Sequence, residues 1–474
     1  MPSKKISQEA FDELVQENRE TFGMVAEEAL KSTIEELELQ GVCLTGIIKS
    51  AQRQQHELHP VSVATQNIEE KCGEGSDACD ACSLVPAFEE LLSAVNADEK
   101  TKRAEALSVA KKAGSVAVVL TAMRCMSKEA SSLQLGIEAL IGLAATSDMR
   151  KAFHDADGPA SMLAWVKEFD DVHTVALLAK LAAVVSTKNE ANKCKFMDLG
   201  FADSLHAILL KLIPEGIPAY KEALGPTCQA FASFTTADDP TPPTSRAMQN
   251  ARALAQKGWP GTLLNILNHL RGTGKAERSG ELAEVMADCL GALRSVALND
   301  DICSGFVREG GVGVLMEFLE EDLGNWVLVK NTCATLRQLA SGDLVKQEII
   351  AQSGPSIVYR VLSSYCEHET TVETVLGMAT AITLRNPNGS EALAEAGCVD
   401  LIVETAKAHD GNPKVLRQVA MCCRNMVVRS PEVKGRFLEQ GMEAVLRGTK
   451  KRFGGECHEA ACAALRDLGF DDYH

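Results

Sequence analysis

The chain has 474 residues, a net charge of −17 and a pI near 5.2, a balance that repels nucleic acid and anionic membrane surfaces. Hydrophobic residues make up 46% of it but aromatics only 4%, so burial falls to Leu, Val, Ile and Ala, which suit closely packed helices. Sixteen scattered cysteines, many at helical apolar positions (Cys228, Cys289, Cys333, Cys422, Cys462), fit a reducing compartment better than a disulfide framework.

The first residues, MPSKKISQEAFDELV, hold no apolar core behind their two lysines, and no apolar run approaches the ~18 residues that cross a bilayer. The expectation is a cytoplasmic protein, extending to the nucleus, whose Asn388-Gly389-Ser390 sequon goes unused. Residues 7–22 place Phe11, Leu14, Val15 and Phe22 on one helical face with acids opposite. A second helix over 26–40 aligns Ala26, Leu30, Ile34 and Leu37 and stops before Gly41. With the tail VCLTGIIK they make a helical extension over 1–50. It reads either as a hairpin folding on itself or on the rest of the chain, or as a docking element for a partner.

Residues 51–83 lose helical periodicity and gain Gly, Ser, Gln and Asp, which predicts a flexible linker. The stretch holds His56, His59, Cys72, Cys79 and Cys82, and Cys79-x-x-Cys82 has metal-ligand spacing. The intervals between its two halves match no zinc-finger pattern, so no metal is assigned there.

From 84 to 474 a glycine returns at 114, 158, 200, 258, 310, 354, 397 and 441, at intervals of 44, 42, 58, 52, 44, 43 and 44 residues. Such a period means stacked repeats, about eight to nine of them, the opening one (84–113) being irregular as a cap. Three helical phrases alternate in each: a short one before the glycine (343–354), one of 10–12 residues after it (355–366), and a longer one (326–341). The short first helix must turn sharply into the second, where a residue without Cβ takes positive φ or lets helices approach closely. In the third helix Val329, Cys333, Leu336 and Leu339 recur at helical spacing and should be buried between repeats. Two intervals are long. One carries the Pro-rich 235–251, read as a surface loop after a third helix; the other carries the Gly-rich basic 271–280, between second and third helices.

No catalytic motif survives inspection. GTGK at 272–275 lacks the Ser or Thr that must follow the lysine of a phosphate loop, and HELH at 56–59 is not the HExxH of a zinc protease. The sequence predicts no enzyme, no cofactor and no catalytic or metal site.

A period of 42–44 residues, three helices per unit and glycine at the first turn resemble the armadillo-repeat family rather than the two-helix HEAT unit. The N-terminal block QEAFDELVQEN…GVCLTGIIK, CCRNMVVRS at 422–430 and AALRDLG at 463–469 extend the resemblance loosely over nearly the whole chain. It implies an all-α, right-handed superhelical solenoid acting through protein–protein contacts, with the third helices lining a concave groove.

On that helix an arginine recurs at one position, as Arg294, Arg337, Arg424 and Arg466, with Thr380 breaking the series. One reading is a ladder that grips an extended acidic or phosphorylated partner segment, with Asn425 beside it. The other is that each arginine only holds neighbouring helices together. Binding of basic import signals, a property of some relatives in this family, is disfavoured: the next position reads Gly142, Ala183, Ser233, Ser295, Gln338, Asn425 and Asp467, with a single Asn. The tryptophan position of those relatives holds Glu138, Gly291, Ala334, Met421 and Ala463. Trp165, Trp259 and Trp326 read as packing residues or isolated surface anchors. The expected role is a non-enzymatic adaptor, monomeric or within a hetero-complex, or alternatively a structural subunit docked through its N-terminal helices. Its partners are proteins, with no nucleic acid and no membrane insertion.

Overall fold

The computed structural model describes residues 4–22, 24–40, 42–44, 59–73, 81–126, 129–272, 280–428 and 430–471. These form two compact units, Met1–Ala156 and Asp157–His474.

The first unit opens with a helical hairpin, α1 (Gln8–Phe22) and α2 (Ala26–Leu39). Its own small core joins Phe11, Val15, Ala29, Leu37 and Leu44, with Leu30 and Ile34 at the edge. Leu14 and Phe22, expected on the same apolar face, are exposed instead, because the narrow hairpin interface accommodates only residues four apart. A two-residue parallel pairing of β1 (Lys4–Lys5) with β2 (Val42–Cys43) ties the hairpin's two ends together.

The expected linker is helical over much of its length: α3 (Pro60–Gly73) buries Val61, Ala64, Thr65 and Ile68. It packs on α4 (Ala81–Val95) and on a second helix of the first repeat, and Thr65 and Ser115 share a buried hydroxyl contact at 2.7 Å. Weak periodicity hid it, since small residues at its contact face carry little hydrophobic signal. His56 and Cys79 of the considered metal cluster lie outside the described residues. Of the remainder, Cys82 Sγ lies 3.8 Å from Glu129 Oε2.

Among the described residues eight three-helix repeats follow. The first is α5 (Lys100–Lys112), α6 (Ser115–Cys125) and α7 (Ala130–Leu143), and the second α8 (Ser147–Asp155), α9 (Gly158–Glu168) and α10 (Val172–Ser186). The third is α11 (Glu190–Leu199), α12 (Phe201–Leu212) and α13 (Ile217–Phe234), and the fourth α14 (Ala247–Gln256), α15 (Trp259–Arg271) and α16 (Glu281–Val296). The fifth is α17 (Asp300–Arg308), α18 (Gly311–Glu321) and α19 (Trp326–Leu339), and the sixth α20 (Asp343–Ala351), α21 (Gly354–Ser364) and α22 (Glu369–Thr383). The seventh is α23 (Pro387–Glu395), α24 (Cys398–Ala408) and α25 (Pro413–Val427), and the last α26 (Pro431–Glu439), α27 (Met442–Arg452) and α28 (Gly455–Asp467).

The recurring glycine does two different jobs. Gly114, Gly258, Gly310 and Gly441 have φ between 67° and 87°, and a Cβ there would touch nothing within 4 Å, so the left-handed turn alone requires them. At 158 and 354 a proline follows, the helix starts at the glycine, and the left-handed residue moves one place back to Asp157 and Ser353. Gly354 serves close approach instead, since a Cβ would lie 2.6 Å from Ile349 O.

The insertion at 235–251 is shorter than expected and fastened down. Helix α14 begins at Ala247, and the loop before it folds onto α11. Lys193, fully buried, bonds Thr236 O and pairs with Asp238, while Asp239 caps the Glu190 N–H at 2.8 Å. Buried Glu190 in turn accepts from Ser245 and from the Arg246 N–H, and Arg246 forks onto Asp198 at 2.8–2.9 Å. Most of the other insertion, 273–279, lies outside the described residues.

Candidate partner-binding surface

Each third helix buries one face against its neighbours and leaves the other open. On α19, Leu328, Val329, Cys333, Leu336 and Leu339 are buried, and Trp326, Arg337 and half-buried Lys330 and Ala334 occupy the opposite side. In the second unit consecutive third helices from α10 to α28 pack directly on one another, which brings these open faces side by side.

The four arginines of the series are all exposed at equivalent places on this surface, but they do not share one environment. Arg424 Nε lies 2.8 Å from Asp467 Oδ2, and Arg466 Nε lies 2.9 Å from Oδ1 of the same carboxylate. Asp467 therefore cancels charge at the C-terminal end. Arg294 and Arg337 have no hydrogen-bond or ion-pair partner among the described residues. Arg337 lies over Gly377 of the next third helix, where a Cβ would fall 2.7 Å from its guanidinium nitrogen.

At the third-helix position after the arginine's, three side chains act as staples. Asn425 Nδ2 donates to Thr380 O at 3.0 Å, Gln338 Nε2 to Ala297 O at 3.0 Å, and Ser233 Oγ to Ala183 O at 3.3 Å. Each bond reaches back to a carbonyl at the end of the preceding third helix, and two of these carbonyls also accept a threonine hydroxyl, Thr380 O from Thr383 and Ala183 O from Thr187. The Asn425 amide donor is thus engaged within the fold.

Beside Arg294 the small residues Gly291, Ala232 and Ala292 leave a cavity of about 420 Å³, lined also by Gln229, Asp288 and Gln338. Burial pushes the Asp288 carboxyl above its usual range, opposed by the hydrogen bond from Gln229 Nε2 at 2.9 Å. Toward the N-terminal ends of the third helices, polar contacts bridge adjacent repeats: a hydrogen bond between His173 and Glu222, and ion pairs of Lys221 with Glu281 and Arg417 with Glu456. Between α19 and α22 that place is taken by the rings of Trp326 and His368, with centroids 4.8 Å apart.

Residues 3–70 match the family described as the Armadillo repeat-containing protein 6 N-terminal domain. The chain is similar to armadillo repeat-containing protein 6. It is 25% identical to the human protein of that name over 421 residues, covering 83% of this chain and 76% of the human one. Against the homolog of Drosophila melanogaster it is 26% identical over 400 residues, covering 83% and 80%. A crystal structure of an engineered protein superposes with a TM-score of 0.68 at 18% identity, covering 86% of this chain and 89% of that one. The fold is an all-α armadillo-repeat solenoid.

Within this armadillo array the tryptophans separate as packing residues and one surface residue: Trp165 and Trp259 are buried, and Trp326 is 43% exposed. Of the cysteines, Cys228, Cys289, Cys333 and Cys422 are buried and Cys462 is half-buried. Burial alone pushes the Cys333 thiol up to about 12, as expected of a thiol used as a small hydrophobe. Among the described residues no single helix is long and apolar enough to cross a membrane. The staples and Asp467 were the features hidden from sequence reasoning. The recurrence of a polar residue after each arginine was their only signal, and it does not say which carbonyl is reached.

Proposed function

We propose that the protein is a non-catalytic adaptor whose third-helix face binds an extended acidic segment of a protein partner, centred on the fourth to sixth repeats. One observation carries this reading: Arg294 and Arg337, one repeat apart, are exposed and without partners among the described residues, whereas Arg424 and Arg466 are tied to Asp467. Two such guanidiniums can accept carboxylates through charge-assisted, bidentate hydrogen bonds. The open space beside Arg294 leaves room for a partner side chain. An armadillo scaffold supports the adaptor role, because repeat surfaces of this kind act by contact rather than chemistry.

The test is titration of the full chain with a fluorescent Glu/Ser peptide. Arg294→Glu with Arg337→Glu should weaken binding by about tenfold or more, while Arg424→Glu with Arg466→Glu changes it far less. Equal effects of the two pairs, or none from the first, would remove the proposal.

A second reading, docking into a larger assembly through the N-terminal hairpin, is favoured by Phe22 and Val25, which are 66% and 65% exposed at its turn. Removing residues 1–50 discriminates the two: it should leave peptide binding intact and abolish assembly.

A further inference from the structure

The first helices of the repeats carry a pattern of their own. At the fourth position of α11 and α20 stand Lys193 and Lys346, 0% and 4% exposed. Each ammonium crosses to a backbone carbonyl just past its own repeat's third helix, where the chain heads into the next first helix, Lys193 to Thr236 O at 2.5 Å and Lys346 to Leu384 O at 3.0 Å. Each is also neutralised by a carboxylate, Asp238 and Asp343 respectively. The slot between successive first helices is therefore a place where this fold accepts a lysine.

On α23 the fourth residue is Ser390, 1% exposed, whose hydroxyl turns back to Asn386 O at 3.3 Å. It is too short to cross. Between α23 and α26 lies a cavity of about 510 Å³ with Ala394, Pro431 and Val433 among its walls. Glu391, Glu395 and Glu432 stand around it, and none has an ion-pair partner among the described residues. Arg436 also lines it, but its guanidinium is committed to Ala394 O at 2.6 Å and lies 3.8 Å from Asp400. The Ser430 hydroxyl, in a residue only 4% exposed, lines the same cavity and has no hydrogen-bond partner. A buried hydroxyl left unpaired costs free energy, so the cavity offers an acceptor with something to gain from a donor.

We propose that this cavity receives a lysine side chain from a basic segment of a partner protein. The aliphatic stem lies against Ala394 and Val433, and the ammonium donates to the glutamate carboxylates and to Ser430 Oγ. Three carboxylates against one engaged guanidinium make the site cation-selective, even at the start of α26 where the helix dipole favours anions. The partner's lysine takes the role that Lys193 and Lys346 fill within the chain. This surface belongs to the first helices and is independent of the arginines on the third.

The experiment titrates the full chain with a fluorescent peptide of alternating Lys and Ser at moderate salt. Glu395→Gln with Glu432→Gln, both exposed and therefore tolerated by the fold, should weaken binding by about tenfold. Ser390→Lys, which supplies an internal ammonium, should abolish it while leaving helicity unchanged. The control Glu215→Gln with Glu320→Gln removes the same charge elsewhere and should leave affinity within about twofold. An equal loss in the control, unchanged binding in the first variant, or no saturable binding at all overturns the proposal. If Ser390→Lys fails to fold, the glutamine pair decides alone.

Discussion

Arg337 of the fifth repeat lies over Gly377 of the sixth, so closely that a Cβ on residue 377 would sit 2.7 Å from its guanidinium. The glycine lies within a buried stretch of helix, where it has no conformational role, and its lack of a side chain gives the arginine a bed. Gly377→Ala should therefore leave stability unchanged or raise it by up to about 1 kcal/mol through helix propensity. The same change should displace Arg337 and weaken acidic-peptide binding a few-fold. Chemical denaturation and peptide titration on the one variant check both halves.

Asp467 holds Arg424 and Arg466 together. Asp467→Asn should cost about 1 kcal/mol, because both arginines are exposed although the Asp467 side chain is only 12% exposed. It should also release two cations onto the third-helix face. Acidic-peptide affinity is then expected to rise, and to fall more steeply with salt than in the parent chain.

Lys193 is the ion on which the 235–246 loop depends. Lys193→Met removes the buried ammonium that Thr236 O and Asp238 Oδ1 share, leaving the Asp238 carboxylate held only by the Lys188 N–H on Oδ2 at 3.0 Å. Breaking a pair of this kind costs about 3–5 kcal/mol. A lower Tm together with faster proteolysis between 235 and 246 is the expected result. Cleavage elsewhere with the loop intact would show that the anchor lies in Glu190 and Arg246 instead.

His206 sets a pH dependence. Its Nε2 sits 2.9 Å from Thr262 Oγ1 and its ring meets Trp259 edge-on, with centroids 5.3 Å apart. Burial holds its pKa below the ordinary 6.5, partly offset by the nearby Asp203 carboxylate. The unfolded chain therefore binds a proton that the folded chain refuses, and stability must fall as pH drops through 6.5 toward the folded value. Thermal unfolding between pH 7.5 and 5 should show this decline, with a shallower slope in His206→Gln.

The repeat period, the order of short, middle and long helices, and the apolar stripe of the third helix were all legible in residues such as Gly310, Cys333 and Leu336. They follow from local rules of helix periodicity and turn geometry, which act over a few neighbours. Helix α3 was missed because Val61, Ala64 and Ile68 become a core face only when α4 and the first repeat cover them. The arginine positions could be counted along the chain, but their states could not.

The sequence by itself determined an all-helical repeat array and the third-helix position where an arginine recurs in four of the last five repeats. Only the tertiary structure decided that Arg424 and Arg466 share one carboxylate, that Asn425 is spent on Thr380, and that Arg294 and Arg337 stand open. The physical reason is distance: Arg424 and Asp467, like Asn425 and Thr380, are 43 and 45 residues apart along the chain and within 3 Å in space, a relation set by how one repeat stacks on the next.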